Sequence, residues 1–198
     1  MLPGLLRPSA ASALPDVAPL ANAKGPLLYV GGRRLSQYAL NGSKPLRSIK
    51  AGWGAFALAL DSFGKLFVAN GNPSYGAVAA YEARDLKLER TIWYPQAIAI
   101  DSTGRLYVAS VPLTQRGRQP GWVSVYAPGG TKPLRKLTQG VDEPWALAID
   151  PSDNLYVANI GARPAGNSVT IYASGGTKPL RTITDGVDGP AALAISSH

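Results

Sequence analysis

The 198-residue sequence contains no cysteine, one histidine and one methionine. The missing thiols exclude disulfides, thiolate metal centres and a cysteine nucleophile. The single histidine is His198, the last residue of the sequence. Terminal residues are seldom held in the fixed geometry that catalysis needs, so imidazole base chemistry and histidine zinc sites are not expected. No apolar run approaches the ~20 residues of a membrane-spanning helix. Acidic residues are also scarce, 12 against 20 Lys and Arg, which leaves a net charge of +8. That charge admits nucleic acid or an anionic surface as a partner without identifying either.

What is present is a folding composition, with 45% hydrophobic residues punctuated by 22 Gly and 17 Pro. Residues 1–24 are rich in Ala and Pro. Pro3, Arg7 and Pro8 interrupt their apolar stretch and no basic region precedes it. This segment therefore reads as a disordered leader rather than a cleaved export signal. Residues 25–198 read as one domain.

That domain is repetitive. LLYVGG (27–32), LFVANG (66–71), LYVASV (106–111) and LYVANI (155–160) are four copies of one segment, spaced 39, 40 and 49 residues apart. A further segment follows each copy: LSQYAL (35–40), AVAAYE (77–82), VSVYAP (123–128) and VTIYAS (169–174). Then come KPLRSI (44–49), LKLERTI (86–92), KPLRKL (132–137) and KPLRTI (178–183). Each next copy opens with ALALD (57–61), AIAID (97–101) or ALAID (146–150). All are short, β-rich and bounded by turn residues. The links DSFG, DSTG and DPSD place Asp first and a left-handed residue fourth, which is hairpin chemistry. Each repeat is thus a four-stranded antiparallel meander.

In the opening strand, small and large residues alternate: Ala57-Leu58-Ala59-Leu60, Ala97-Ile98-Ala99-Ile100, Ala146-Leu147-Ala148-Ile149. Both faces are apolar, one flat and one bulky. Such a strand is expected between two sheets, bulky residues of one meeting alanines of the next. The fourth strand carries Lys and Arg, as an exposed outer edge should. A small, dry inner strand, a basic outer strand and a period of 40–49 residues predict an all-β propeller of four blades.

The pattern ALAID-x-x-G-x-LYVAN, then SVxVYA, then PLRTI resembles the NHL-repeat propellers and their streptogramin lyase-like and gluconolactonase-like relatives, over residues 25–196. The resemblance implies a propeller fold and favours an extracellular or periplasmic setting. Streptogramin lyase-like activity would need a well-placed histidine, and the sequence offers only the terminal His198. Gluconolactonase-like activity would need a divalent metal on carboxylates and Asn. Asp142, Glu143, Asp185 and Asp188 are the candidate oxygen ligands. They come from two neighbouring links, VDEP and VDGP, and read as turn carboxylates. No cofactor is expected.

Blades are expected at 55–92, 96–138 and 145–184, with an incomplete one at 27–49. AALAIS (191–196) has inner-strand alternation, and the first blade lacks an inner strand. The expectation is that 191–196 pairs with 27–31, giving sixteen strands in a closed ring. The alternative is an open arc of a larger propeller, monomeric or dimeric.

In propellers, the links from strand two to three and from strand four to the next blade share a face. That face gathers Trp53, Trp93, Tyr94, Trp122 and Trp145 with Arg33, Arg34, Arg116, Arg118 and Arg163, which are the candidate ligand-binding residues. Length variation is confined to these loops, chiefly the 110–122 excursion. Asp61, Asp101 and Asp150 recur on the opposite face as turn residues, and Asn70 and Asn159 read as turn-forming. The expected function is a non-catalytic binding or scaffold module for a protein or small ligand. A metal-dependent lactonase or lyase-like enzyme is the alternative. RNA binding through the basic, aromatic face is a third reading, opposed by the many Lys and Arg on outer strands.

Overall fold

The computed structural model describes residues 26–50, 54–62, 64–70, 77–82, 87–93, 95–114, 117–161 and 166–196. Within them the chain forms strands and no helix. The 1–24 leader lies outside the described residues.

Strands β1 (Leu27–Val30), β2 (Arg34–Ala39) and β3 (Arg47–Lys50) form a three-stranded sheet. The second sheet is β4 (Ala55–Leu60), β5 (Lys65–Asn70), β6 (Ala77–Glu82) and β7 (Lys87–Trp93), paired in that order. The third begins with β8 (Ala97–Ile100) and β9 (Leu106–Ser110). A separate ribbon, β10 (Leu113–Thr114) with β11 (Gly117–Arg118), interrupts it before β12 (Trp122–Tyr126) and β13 (Pro133–Leu137) complete the order β8-β9-β12-β13. The fourth is β14 (Pro144–Ile149), β15 (Leu155–Asn159), β16 (Ser168–Tyr172) and β17 (Pro179–Ile183). All pairings are antiparallel between successive strands, so each sheet is a meander, as the repeat implied.

The Asp-led links form the hairpins that join first and second strands. Asp61 Oδ1 accepts from the Lys65 N–H at 2.8 Å, and Asp101 Oδ1 from the Arg105 N–H at 2.9 Å. Asp150 Oδ1 accepts from the Ser152 and Asn154 N–H groups, each at 2.9 Å. The fourth position is left-handed in all three turns, with φ of 84° at Gly64, 79° at Gly104 and 61° at Asp153.

Packing between sheets follows the alanine alternation. Ala57 and Ala59 of β4 meet Ile98 and Ile100 of β8 in one cluster with Phe67, Leu106 and Val108. Ala97 and Ala99 of β8 meet Leu147 and Ile149 of β14 in the next, with Tyr107, Val125, Leu155 and Tyr172. Leu35 and Ile49 of the first sheet pack on Leu58, Leu66 and Val68 of the second. Each sheet therefore turns one face to its predecessor and the other to its successor. Every buried Val, Leu or Ile in these seams contributes roughly 1.5–3 kcal/mol.

The first sheet is the exception. Its Leu28 and Val30 correspond to Leu155 and Val157 of the fourth, yet they are 45% and 44% exposed instead of 1% and 0%. Leu60, the counterpart of the packed Ile100 and Ile149, is 54% exposed. Among the described residues no strand pairing joins the first sheet to the fourth, and the sheets form an open series.

The expected pairing of 191–196 with 27–31 is not made. Residues 191–196 belong to no strand, and β1 has β2 as its partner. Instead Ala191, Ala192 and Leu193 line one cleft with the beginnings of β4, β8 and β14, and Ala191 and Ala192 are themselves exposed.

Candidate functional site

The meander topology places the second-to-third links and the sheet-to-sheet links at one end of the molecule. There, backbone hydrogen bonds knit three loops together. Glu143 N–H donates to the Pro120 carbonyl at 2.6 Å, Ile160 N–H to the Glu143 carbonyl at 3.2 Å, and Gly161 N–H to the Asp142 carbonyl at 3.2 Å. The 110–122 excursion, the 139–145 link and the loop after β15 are thereby one surface. The excursion also has structure of its own, the β10–β11 ribbon closed by Gln119 N–H to the Pro112 carbonyl at 3.1 Å. Gly121 (φ 78°) lets it lie flat: a Cβ there would meet the Ser110 carbonyl oxygen at 2.3 Å.

Beneath this surface lies a buried polar hub. Asn159 is fully buried, and its Oδ1 accepts from the Asp142 N–H at 3.0 Å. Its amide donates to the Gly140 carbonyl at 3.2 Å, Ser168 Oγ at 3.1 Å and Thr170 Oγ1 at 3.3 Å. The Thr170 hydroxyl donates to the same Gly140 carbonyl at 2.8 Å, and the Tyr172 hydroxyl donates to the Gln139 carbonyl. Asn159 is thus a tether for the incoming link rather than the turn residue the sequence suggested. The deciding feature is its position opposite Ser168, on the side of β16 where Thr170 also points. Burial pushes the Tyr172 hydroxyl up to about 12.

Among the sequence-derived candidates, Trp145 lines an axial cleft of about 510 Å³ together with Gln96, Ala57, Ala97, Ile98 and the 191–193 segment. Trp122 faces elsewhere, its ring under the Lys136 ammonium at 4.3 Å from the centroid. Arg34 turns to the outer strand, donating to Ser48 Oγ at 2.7 Å and to the Ser48 carbonyl at 2.8 Å. Arg33 is exposed beside it. Trp93 and Arg118 lie on β7 and β11. Trp53, Tyr94, Arg116 and Arg163 lie outside the described residues.

The carboxylate candidates divide. Asp142 is buried at 3%, packed where a Cβ on Gly161 would meet its Oδ2 at 2.2 Å. Asp185 and Asp188 are exposed on a separate link. Among the described residues no three His, Asp or Glu side chains converge as a metal site would require. Gln96 and the leading alanines were missed as site residues. Their signal was present in the sequence, since the flat faces of successive inner strands must line whatever lies on the axis.

An open series of four antiparallel meanders, with a cleft along the inner strands of the second, third and fourth, defines an all-β, propeller-type fold. Solved structures agree. The chain is similar to the hydrazine synthase of Kuenenia stuttgartiensis, with TM-score 0.61 and 16% identity over 76% of this chain and 43% of that one. It is similar to a chain of a nidogen–laminin complex, with TM-score 0.55 and 16% identity over 76% of this chain and 55% of that one. A 6-phosphogluconolactonase-like protein from Bacteroides uniformis gives TM-score 0.60 and 15% identity over 82% of this chain and 53% of that one. The chain therefore spans about half the length of these structures. No protein-family model and no curated protein matches the sequence.

Proposed function

We propose that this chain is a binding module built from NHL-like blades, which takes its ligand at the loop end of the axis. The observation that carries this reading is the axial cleft with Trp145 and Gln96 at its wall, beside the knitted loops. Its described lining is alanine, leucine, isoleucine, one indole and one carboxamide, with no charged side chain. That chemistry suits a largely uncharged, flat group with a hydrogen-bonding end, presented by a small molecule or by a protein side chain. The metal-dependent enzyme reading has less support, because Asp142 packs inward while Asp185 and Asp188 face solvent.

Ligand-observed NMR with a library of small neutral aromatic amides tests the proposal. Fragments should bind the full chain and lose their signal with Trp145→Ala, provided its circular-dichroism melt is retained. An absence of hits, or hits unchanged by Trp145→Ala, overturns it.

A further inference from the structure

One nine-residue stretch occurs in three versions: ALNGSKPLR (39–47), APGGTKPLR (127–135) and ASGGTKPLR (173–181). Each opens as the turn into the outer strand of its sheet. Gly42, Gly130 and Gly176 close these turns, their N–H groups donating to the Ala39, Ala127 and Ala173 carbonyls at 2.8, 2.9 and 2.8 Å. In a meander these turns fall at the end opposite the knitted loops, beside the Asp-led hairpins.

Each turn leads into a bulge. Val125 faces Arg135 while Tyr126 faces Pro133, which leaves Leu134 as the extra residue. Ile171 faces Arg181 while Tyr172 faces Pro179, which leaves Leu180. In the first sheet Gln37 faces Arg47, and the Leu46 N–H donates to the Gln37 carbonyl at 2.7 Å, so Leu46 takes the same place. A bulge releases its extra residue from the ladder and re-aims the side chain. Leu46, Leu134 and Leu180 are 40%, 59% and 62% exposed. The fold does not ask for leucine there. In the second sheet Ala80 faces Arg90 and Tyr81 faces Leu88, so Glu89 holds the corresponding position. Edge protection does not ask for it either, since charge and proline guard an edge and an exposed leucine does the reverse.

Two residues before each leucine stands an exposed lysine: Lys44, Lys132 and Lys178. The arginine after it is not equally free for a partner, since Arg47 is buried. None of the three stretches contains Asp or Glu. A lysine and a protruding leucine therefore recur together on three sheets, at one end of the molecule. A small molecule reaches only one such turn, so all three together call for a broad partner. A polyanionic sugar would pair with the lysines and leave the leucines in water. We infer that this end docks on an anionic lipid membrane, the leucines entering the headgroup boundary and the lysines lying against the phosphates. Apolar area and basic charge add in such contacts, and each alone is weak. The inference does not depend on what the cleft binds.

Flotation of the full-length chain with lipid vesicles tests this. Phosphatidylcholine vesicles containing phosphatidylserine should carry the chain upward, phosphatidylcholine alone should not, and added salt should weaken the binding. Each lysine against an anionic surface contributes about fivefold, so Lys44→Gln, Lys132→Gln and Lys178→Gln together should weaken binding roughly a hundredfold. Leu46→Gln, Leu134→Gln and Leu180→Gln together keep the charge and should weaken it at least about tenfold. Both triple variants should keep the wild-type circular-dichroism melt. The absence of native cysteine gives a second readout that needs no triple variant: a polarity-sensitive dye on Leu134→Cys should shift to the blue on the anionic vesicles. A dye that does not shift, or a folded leucine variant that binds as wild type does, reduces the contact to charge and overturns the inference. Equal binding to the neutral vesicles overturns it, as does no binding to the anionic ones. A chain that ignores vesicles but binds soluble polyglutamate would mark the face as a site for an acidic protein, and the inference fails equally.

Discussion

The Asp153 carboxylate holds Ser102 of the neighbouring sheet twice, accepting from its N–H at 2.9 Å and from its hydroxyl at 2.6 Å. Asp153 stands where the two earlier turns have glycine, at φ 61°. The left-handed conformation costs a non-glycine residue roughly 1–2 kcal/mol, so the contact is offset by local strain. Asp153→Gly should relieve the strain and lose the contact, lowering stability by about 1 kcal/mol. Asp153→Ala keeps the strain and loses the contact, and should lower it by roughly 2–3 kcal/mol. Urea unfolding of both variants gives the order. Equal losses would show that the backbone at 153 is unstrained.

The same pair sets an acid response. Ser102's hydroxyl and N–H hold the Asp153 carboxyl below its ordinary value of 3.8. A depressed carboxyl contributes stability that is present above the ordinary value and is lost as pH falls through the folded one. Ser102→Ala should therefore cost stability at pH 7 and progressively less below pH 3.8. Parallel unfolding curves at pH 7 and pH 2.5 check this, and a cost independent of pH would contradict it.

At the alkaline end the responsible group is Tyr172. Burial raises its hydroxyl from 10.0 to about 12. Because the folded value is the higher one, its contribution is complete below pH 10.0 and is lost as pH rises toward 12. The sharpest comparison is pH 9 against pH 11, where the wild type should lose about 1.4 kcal/mol more than Tyr172→Phe. Tyr107 moves the same way, through burial and the adjacent Asp101 carboxylate. It remains in both proteins, so the difference isolates Tyr172.

Asn159 bonds the Asp142 N–H, the Gly140 carbonyl and the Ser168 and Thr170 hydroxyls from one buried position. Asn159→Leu leaves the Asp142 N–H, Ser168 and Thr170 facing an apolar group. Stability should fall by roughly 2–4 kcal/mol, since buried polar groups without partners cost about 1–3 kcal/mol each and partial rearrangement recovers some. Amide exchange at Asp142 should quicken more than at β5. Uniform quickening would mean that the hub is not specific to the 139–145 link.

Two glycines of nearly equal φ separate strain from crowding. Gly175 (φ 73°) has open space where a Cβ would go, whereas at Gly121 (φ 78°) the Cβ meets the Ser110 carbonyl oxygen at 2.3 Å. Gly175→Ala should cost about 1 kcal/mol. Gly121→Ala should cost clearly more, and should loosen the 110–122 excursion in proteolysis. Matching costs would show that the excursion moves freely.

The repeat, the meanders, the left-handed fourth turn position and the alanine seams were legible because each is a local pattern that recurs along the chain, and each follows from strand period or turn sterics. The destination of 191–196 was not. Its alternation says that it is an inner strand, but Ala-Leu-Ala-Ile fits any apolar flank of matching shape, and residues 191–193 line the cleft instead of pairing with β1. Asn159 was misread for a related reason. At the end of a strand, Asn is equally suited to a turn and to a buried tether. Only the polar Ser168 and Thr170 on the adjacent strand distinguish the two, through a pairing that no local window contains. Trp145 and Trp122 show the same limit, since equal residue types on one loop face part company according to which neighbour covers each ring.

Residues 191–193 wall the cleft together with the openings of three inner strands, yet they belong to no strand themselves. A ligand seated there would touch three sheets and this segment at once, so its binding free energy would also appear as stability shared among them.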